Sequence, residues 1–222
     1  MSCGFSGQSN PFSSRYVRPG AIPFFFPEGC SVELLLQRLR DHGWQGQILG
    51  PHGSGKSALL AHLLPAIEHA GRPTLLYTLH EGARQLPNPL PSPAPENQTL
   101  VVLIDGYEQL SRWHRFRLRR LCRQAQWGLV VTAHRSLGFP TLMRLRPDVQ
   151  LAQKIVHWLL RDSPSLISPE QVAAAFQAQH GDLREMLFAL YDLWEQLTRQ
   201  DPPTTQSIDL TPKALGLDAS AC

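Results

Sequence analysis

The sequence has few cysteines and no long apolar run. Its four cysteines, at positions 3, 30, 122 and 222, form no Cys-x-x-Cys pair, which excludes a zinc ribbon and a disulfide framework. The longest apolar runs, such as residues 100–104, fall far short of the roughly 20 residues of a membrane-spanning helix. The first residues carry neither the basic nor the apolar region of a signal peptide. We therefore expect a cytoplasmic protein with reduced thiols.

Charged residues are also scarce, at 18% of the chain, whereas hydrophobic residues make up 42%. This composition is typical of a globular protein and excludes a disordered or fibrous one. A chain of 222 residues is long enough for one α/β domain and a small second lobe, but too short for two large independent domains.

Positive charge is concentrated in one part of the sequence. The net charge is only +3, yet residues 109–147 contain nine arginines and no acidic residue. Such a segment fits phosphate, nucleic acid or an acidic protein surface. A solvated, arginine-rich helix explains the same pattern, so both interpretations remain open at this point.

Hydrophobic periodicity predicts strands and helices in alternation. Strands are predicted at 47–50, 73–80, 99–105, 128–134 and 141–145, and helices at 31–41, 58–70, 110–126, 148–161, 168–179 and 182–199. The strand at 99–105 is apolar on both faces, which is typical of a central parallel strand. The predicted fold class is therefore α/β, a parallel five-stranded sheet flanked by helices and followed by a small C-terminal helical lid.

The same patterns divide the chain into four regions. These are an N-terminal arm at 1–30, an α/β core at 31–147, a three-helix lid at 148–200 and a disordered tail at 201–222. The arm is rich in proline, serine and aromatic residues, so we expect it to dock on a surface without a regular helix. A proline-rich surface loop is predicted at 86–95. In the helix at 110–126, Trp113 falls in the apolar stripe.

The strongest motif is a glycine loop at residues 50–57, Gly-Pro-His-Gly-Ser-Gly-Lys-Ser, which matches G-x-x-x-x-G-K-[ST] in full. It follows a predicted strand and opens a predicted helix, the context in which backbone N–H groups and the helix dipole bind a polyphosphate. We expect Lys56 to reach the β/γ-phosphates and Ser57 to be a magnesium ligand. The predicted nucleotide-binding residues of this segment are Gly50, Pro51, His52, Gly53, Ser54, Gly55, Lys56, Ser57 and Ala58.

Asp105 is the second predicted magnesium ligand. It ends an apolar strand downstream of the glycine loop, where a Walker B carboxylate holds the metal. An aspartate here can also cap a helix or a turn, but the glycine loop favours the metal role. The guanine signature [NT]-K-x-D is absent around Lys154 and Lys213, so we expect ATP as the nucleotide.

Together these residues resemble the AAA+ ATPases, particularly the small bacterial switch proteins of the initiator, clamp-loader and transposition type. The resemblance covers most of residues 31–199 and implies a P-loop NTPase sheet that binds ATP and magnesium. It puts Thr132 or His134 in the sensor I position, beside the nucleotide. Residues 180–184, His-Gly-Asp-Leu-Arg, match the sensor II spacing, which implies that Arg184 reaches the γ-phosphate. The alternative is a helix cap at Asp182 followed by a solvent-facing Arg184.

One departure from the AAA+ pattern concerns catalysis. These ATPases carry Asp-Glu at the end of the Walker B strand, whereas Asp105 is followed by Gly106 and the first acid is Glu108. Glu108 either turns into the site on the Gly106 hinge as catalytic base, or stabilises the next helix through its dipole. Glu81, after the second strand, is a weaker candidate for the base. The predicted catalytic residues are Lys56, Glu108 and Arg184.

The resemblance also implies contacts outside the loop. AAA+ assemblies supply an arginine to the γ-phosphate of the neighbouring subunit, which implies a homo-oligomer; the candidates here are Arg135, Arg144 and Arg146. The segment before the first helix would contact the adenine, through the apolar residues Phe12, Val17, Pro19 and Ile22.

The leading functional hypothesis is an ATPase switch whose nucleotide state moves the lid and controls engagement of a protein or DNA partner. The alternative is a nucleotide-gated adaptor with negligible hydrolysis. It would bind DNA or protein through an arginine face, with Trp113 and Phe116 nearby; this face comprises Arg112, Arg115, Arg119 and Arg123. A small-molecule kinase, which also begins with a glycine loop, is a third and weaker hypothesis.

Overall fold

A computed structural model of the protein describes residues 9–91, 99–163 and 166–200. The strands are β1 (Gln45–Leu49), β2 (Thr74–Thr78), β3 (Val101–Asp105), β4 (Gly128–Ala133) and β5 (Thr141–Arg144). The helices are α1 (Ser14–Val17), α2 (Val32–Asp41), α3 (Lys56–His69), α4 (Arg112–Gln124), α5 (Val149–Leu159), α6 (Pro169–Ala178) and α7 (Leu183–Gln200). A 3₁₀ turn, Tyr107–Gln109, separates β3 from α4.

The five strands form one parallel sheet in the order β2-β3-β4-β1-β5. The predicted α/β class and the five-stranded parallel sheet are therefore confirmed. β4 lies between β1 and β3, although it follows both in sequence. Because the carboxyl ends of parallel strands meet at one edge, the glycine loop after β1, the end of β4 and Asp105 come side by side.

Helices cover both faces of the sheet, and β3 makes contacts on each side. Val101 and Leu103 belong to the cluster that includes α2 and α3, whereas Val102 and Ile104 belong to the cluster that includes α4. All four side chains are fully buried. Successive side chains of a strand point to opposite faces, so a strand covered on both sides appears in the sequence as a continuous apolar run.

The C-terminal helices α5, α6 and α7 form a third cluster, which the N-terminal arm completes. Phe12 is 1% exposed and contacts Trp194 edge to face, with ring centroids 6.2 Å apart. Asn10 Nδ2 donates to the carbonyl oxygen of Tyr191 at 3.0 Å. The start of the arm therefore packs as part of this helical cluster, which lies in the predicted C-terminal lid and is called the lid cluster below.

The end of the arm contacts both the lid and the α/β core. Phe25 packs against the lid cluster, whereas its neighbours Phe24 and Phe26 pack against the cluster that includes α2 and α3. Ser14–Val17 form the single turn α1, so the expectation of an arm without a regular helix is wrong there. These four residues include no proline or glycine, and nothing in their backbone prevents a helical turn.

One end of α4 differs from the predicted apolar stripe. Leu118 and Cys122 are buried, but Trp113 is 57% exposed, so its assignment to the stripe is wrong. The guanidinium of Arg117 lies 4.6 Å from the centroid of the Trp113 ring, which gives the indole a cation partner outside the core. Burial raises the pKa of the Cys122 thiol to about 12, so this thiol stays protonated and unreactive.

Some predictions lie outside the described residues. These are the tail at 201–222, residues 92–95 of the proline-rich loop, the first eight residues of the arm, and Cys3 and Cys222. Residues 86–91, which the structure describes, form neither helix nor strand. Within the described part of the chain, no helix combines the length and the apolar character needed to cross a membrane.

Replacing Phe12 with alanine is expected to lower the free energy of unfolding by about 3 kcal/mol, because it removes a buried ring from the lid cluster. Tyr16 lies in the same arm but is 39% exposed. Tyr16→Ala is therefore the control, with an expected change below about 1 kcal/mol. Urea denaturation followed by circular dichroism measures both. Equal losses for the two variants would show that the ring of Phe12 does not stabilise the lid.

Candidate nucleotide-binding site

Glycines shape the loop between β1 and α3. Gly53 and Gly55 have φ of +59° and +88°, in the left-handed region that glycine adopts without penalty. Gly55 is the N-cap of α3 and provides no side-chain cap, so the first N–H groups of this 14-residue helix are available to a ligand. A Cβ at Gly50 would overlap Ser54 Oγ. The loop therefore fits a polyphosphate, as its sequence predicts.

Lys56 lies within this loop. Its Nζ donates to the carbonyl oxygens of Gly50 and Pro51, at 2.9 and 2.5 Å. Burial lowers the pKa of Lys56, and three nearby carboxylates oppose that change. In order of strength they belong to Glu108, Asp105 and Asp182. The fold thus brings acids from distant parts of the sequence within electrostatic range of one ammonium group.

Asp105 is held by the strand beside it. Thr132 Oγ1 donates to Asp105 Oδ1 at 2.6 Å and accepts from the backbone N–H of Gly106 at 2.8 Å. Thr132 is fully buried in β4. Its single hydroxyl proton is therefore committed to Asp105, so in this structure Thr132 positions the predicted metal ligand.

The turn after Asp105 requires glycine. Gly106 has φ of +79°, and a Cβ on it would lie 2.7 Å from the carbonyl oxygen of Leu79. The chain then enters the 3₁₀ turn that carries Glu108. Arg115, from α4, fixes this turn by donating from Nη2 to the carbonyl oxygen of Glu108 at 2.9 Å and from Nε to that of Leu110 at 2.7 Å.

The carboxylate of Glu108 faces the end of β4. Glu108 Oε1 lies 2.9 Å from His134 Nε2, while Oε2 is buried and has no hydrogen-bond partner among the described residues. The His134 ring stacks on His52 of the glycine loop, with centroids 3.9 Å apart. Burial lowers the pKa of His134, the charge of Lys56 lowers it further, and Glu108 raises it. Glu108 thus lies on the site side of its turn.

The N-terminus of α7 packs against the glycine loop. Asp182 Oδ1 accepts from the backbone N–H groups of Arg184 and Glu185, at 2.9 and 3.1 Å, and therefore caps the helix. A Cβ on Gly53 would overlap the Asp182 carboxylate, and Leu183 N donates to Gly53 O at 3.2 Å. The positive charge of Arg184 acts on Lys56. Asp182 is thus a helix cap, and Arg184 is exposed but lies within electrostatic range of Lys56.

Other predicted site residues differ in how close they lie to the loop. Ser57 and Ala58 are half-buried in the first turn of α3. Glu81 is exposed beyond β2 and is not among the charges that act on the pKa of Lys56. The arginines considered for a neighbouring subunit are all exposed; they are Arg135, Arg144 and Arg146.

The four residues predicted to contact adenine are in different environments. Phe12 is enclosed by the lid cluster, so its ring is not available to a base in this arrangement. Val17 and Ile22 pack partly against the same cluster, and Pro19 is exposed. The comparison with the AAA+ arm rested on position in the sequence alone. It gave no indication that the arm packs on the C-terminal helices.

Three contacts of the site were not predicted from the sequence. They are the stacking of His52 on His134, the anchoring of the Glu108 turn by Arg115, and the packing of Asp182 on Gly53. Arg115 and Glu108 are seven positions apart, on either side of the start of α4, whereas the other two contacts join residues that the fold brings together from distant parts of the chain. Local pattern carries no signal for such pairs.

The residues around Asp105 fit magnesium only in combination with phosphate oxygens. No group of three or more His, Cys, Asp or Glu side chains able to hold a metal ion occurs in the described residues. Magnesium keeps several waters and is bound through one or two carboxylates plus substrate phosphates. Asp105 would supply one carboxylate and Ser57 one hydroxyl, so phosphate oxygens and water would complete the coordination.

Comparison with protein-family models finds no match, and comparison with curated proteins finds none either. Solved structures do match, and the protein shares their fold, a parallel α/β sheet flanked by helices of the kind that the resemblance implies. Replication initiator DnaA bound to AMPPCP and single-stranded DNA aligns with TM-score 0.53 and 16% identity, over 80% of this chain and 66% of that one.

Two further structures give the same result. A DNA replication initiation factor aligns with TM-score 0.53 and 16% identity, over 80% of this chain and 65% of that one. AMPPCP-bound DnaA from Aquifex aeolicus aligns with TM-score 0.54 and 15% identity, over 80% of this chain and 66% of that one. The chain thus spans just under two thirds of the length of these structures.

Gly106→Ala is expected to destabilise the protein by about 1–3 kcal/mol more than Gly138→Ala. Both glycines have φ of +79°, but a Cβ meets Leu79 O only at Gly106 and nothing within 4 Å at Gly138. The control therefore carries the left-handed strain without the overlap. Thermal and urea unfolding of both variants measures the difference. If the losses are equal, the close approach to Leu79 does not constrain the turn.

Proposed function

We propose that the protein is an ATP-binding, AAA+-like switch that hydrolyses ATP and whose nucleotide state controls engagement of a protein or DNA partner. The observation that carries this proposal is the position of Lys56. It lies in a glycine loop of AAA+ fold, within electrostatic range of Glu108 and Asp105. The DnaA structures with bound AMPPCP support a nucleoside triphosphate as the ligand.

Each part of the site has a role in this proposal. The backbone of residues 50–58 and the ammonium of Lys56 bind the phosphates, and Ser57 and Asp105 hold magnesium. The metal would neutralise charge on the phosphates during transfer of the γ-phosphoryl group to water. Glu108 accepts the proton of that water at Oε2, the carboxylate oxygen without a partner in the described residues. Arg184 stabilises the phosphate charge from the lid.

The contact between α7 and the loop supports the switch. Leu183 N donates to Gly53 O, and the Asp182 carboxylate packs where a Cβ on Gly53 would lie. A bound triphosphate attracts Arg184 and repels the Asp182 carboxylate, so it changes the relative free energies of lid positions. The partner whose binding depends on the position of the lid is a protein or DNA.

Lys56→Ala is expected to weaken ATP binding by about 1.5–3 kcal/mol, because it removes a charged donor to phosphate; this corresponds to roughly 10- to 150-fold in Kd. Lys154, exposed on α5, provides the matched control, and Lys154→Ala should leave the Kd unchanged. Titration with a fluorescent ATP analogue in the presence of magnesium measures both. Unchanged affinity of the Lys56 variant would overturn the assignment of this loop.

A second candidate function is that of a nucleotide-gated adaptor that binds single-stranded DNA through α4. On this helix Trp113 and Phe116 are 57% and 63% exposed. The arginines of the predicted face divide into two groups. Arg115 and Arg119 donate to backbone carbonyls of neighbouring loops, whereas Arg112 and Arg123 are exposed. Arg117 and Arg120 lie outside the predicted face and are exposed as well. Exposed aromatic rings among arginines fit stacked bases and a phosphate backbone. DnaA in complex with single-stranded DNA is one of the similar structures.

Trp113→Ala is expected to weaken binding of a labelled single-stranded oligonucleotide by about 1–3 kcal/mol, because it removes a stacking surface. Phe188, 49% exposed on α7, provides the control variant Phe188→Ala. Fluorescence anisotropy at several salt concentrations measures both, and affinity should fall steeply with salt. Absence of binding at low salt, or equal effects of the two variants, would contradict the DNA assignment of α4.

Phosphate release with and without the same oligonucleotide separates the two functions. Release that DNA stimulates and that Glu108→Gln strongly reduces supports the ATPase switch. Salt-sensitive DNA binding without phosphate release supports the adaptor. The Lys56 variant serves as the control for contaminating ATPase in both measurements.

A further inference from the structure

His134 occupies a special place in the sheet. It directly follows β4, the strand between β1 and β3, so it lies between the glycine loop and the turn that carries Glu108. Its ring contacts both: Nε2 lies 2.9 Å from Glu108 Oε1, and the ring stacks on His52 with an interplanar angle of 33°. One side chain thus connects the loop to the carboxylate.

Few other groups determine the direction of the Glu108 side chain. Arg115 holds the main chain of Glu108 through its carbonyl oxygen, which leaves the carboxylate free to rotate. Oε2 has no hydrogen-bond partner within the described residues. The contact between Oε1 and His134 is therefore the hydrogen bond that orients the carboxylate there.

We propose that His134 is the positioning residue for Glu108: Nε2–H donates to Oε1 and keeps Oε2 as the proton acceptor, while His52 links this arrangement to the glycine loop. This inference rests on the proposed ATPase function, which it deepens. In this arrangement Glu108 can act as the base although it does not directly follow Asp105 in the sequence.

The charges around His134 favour this arrangement. Burial, Lys56 and His52 lower the pKa of His134, whereas Glu108 and the backbone of Gly50 raise it. The net shift is downward from the ordinary value of 6.5, so the ring is neutral at neutral pH. A neutral donor orients the carboxylate without placing a full positive charge beside the proton acceptor.

The test uses substitutions of His134 in the full chain. His134→Phe keeps an aromatic ring against His52 but has no donor, whereas His134→Gln keeps an N–H donor of similar reach. For magnesium-dependent ATP hydrolysis, we expect the Phe variant to lose at least about tenfold in kcat, with little change in KM or in the Kd for the ATP analogue. The Gln variant should recover most of that loss. In the Glu108→Gln background, His134→Phe should cause no further loss, because the two residues act as a unit.

A measurement on the ligand-free protein tests the contact without activity. NMR of the histidine rings should show His134 as the neutral tautomer with the proton on Nε2 at pH 7. Its pKa should fall further in Glu108→Gln, because the carboxylate charge that raises it is removed. A proton on Nδ1, or a pKa unaffected by that substitution, would overturn the inference.

The outcomes distinguish this inference from the proposed function. A wild-type protein that binds no ATP overturns the proposed function, whereas the NMR result still decides whether His134 orients Glu108. Wild-type hydrolysis that His134→Phe leaves unchanged, or a loss that adds to that of Glu108→Gln, overturns the positioning role and leaves the ATPase intact. Binding of ATP without turnover overturns the role of Glu108 as base, and with it this inference.

Discussion

The hydrogen bond from Thr132 to Asp105 is the contact on which the geometry of the site depends. A threonine hydroxyl has one proton, and here that proton goes to Asp105 while the oxygen accepts from Gly106 N. The same atom thus fixes the carboxylate at the end of β3 and the first residue of the following turn. It does so from β4, which the strand order places between β3 and the glycine loop. A buried hydroxyl that both donates and accepts a hydrogen bond is fixed in position, so it can hold both groups in place.

The turn after Asp105 explains how an acid can be displaced in sequence and still lie near the site. The close approach of Leu79 O and the positive φ restrict position 106 to glycine, so no carboxylate can follow Asp105 directly. The 3₁₀ turn then brings Glu108 back within electrostatic range of Lys56. The arginines of α4 divide into two groups with different contacts. Inward arginines such as Arg115 hold neighbouring loops, while the outward ones lie beside exposed aromatic rings.

Much of the fold could be predicted from the sequence, because the relevant signals are local. The run at 101–104 is buried on both faces of the sheet, and Ser31 accepts from Leu34 N as the N-cap of α2. The glycine loop has the left-handed residues that its motif requires. Trp113, which is 57% exposed, was assigned wrongly because helical periodicity places a residue on one face of a helix without showing whether another element covers that residue. The pairing of Glu108 with His134 depends on strand order, which single-sequence patterns do not specify.

The phenylalanines at positions 24–26 have an energetic consequence for how the C-terminal helices are joined to the sheet. Phe25 packs on the lid cluster while Phe24 and Phe26 pack on the core, so the two bodies cannot separate there without exposing at least one aromatic ring to water. Full burial of such a ring is worth about 1.5–3 kcal/mol, and each of these half-buried rings contributes part of that amount. Separating the C-terminal helices from the sheet at this point would lose that buried apolar surface. The arm therefore ties the two parts of the chain together through adjacent aromatic side chains.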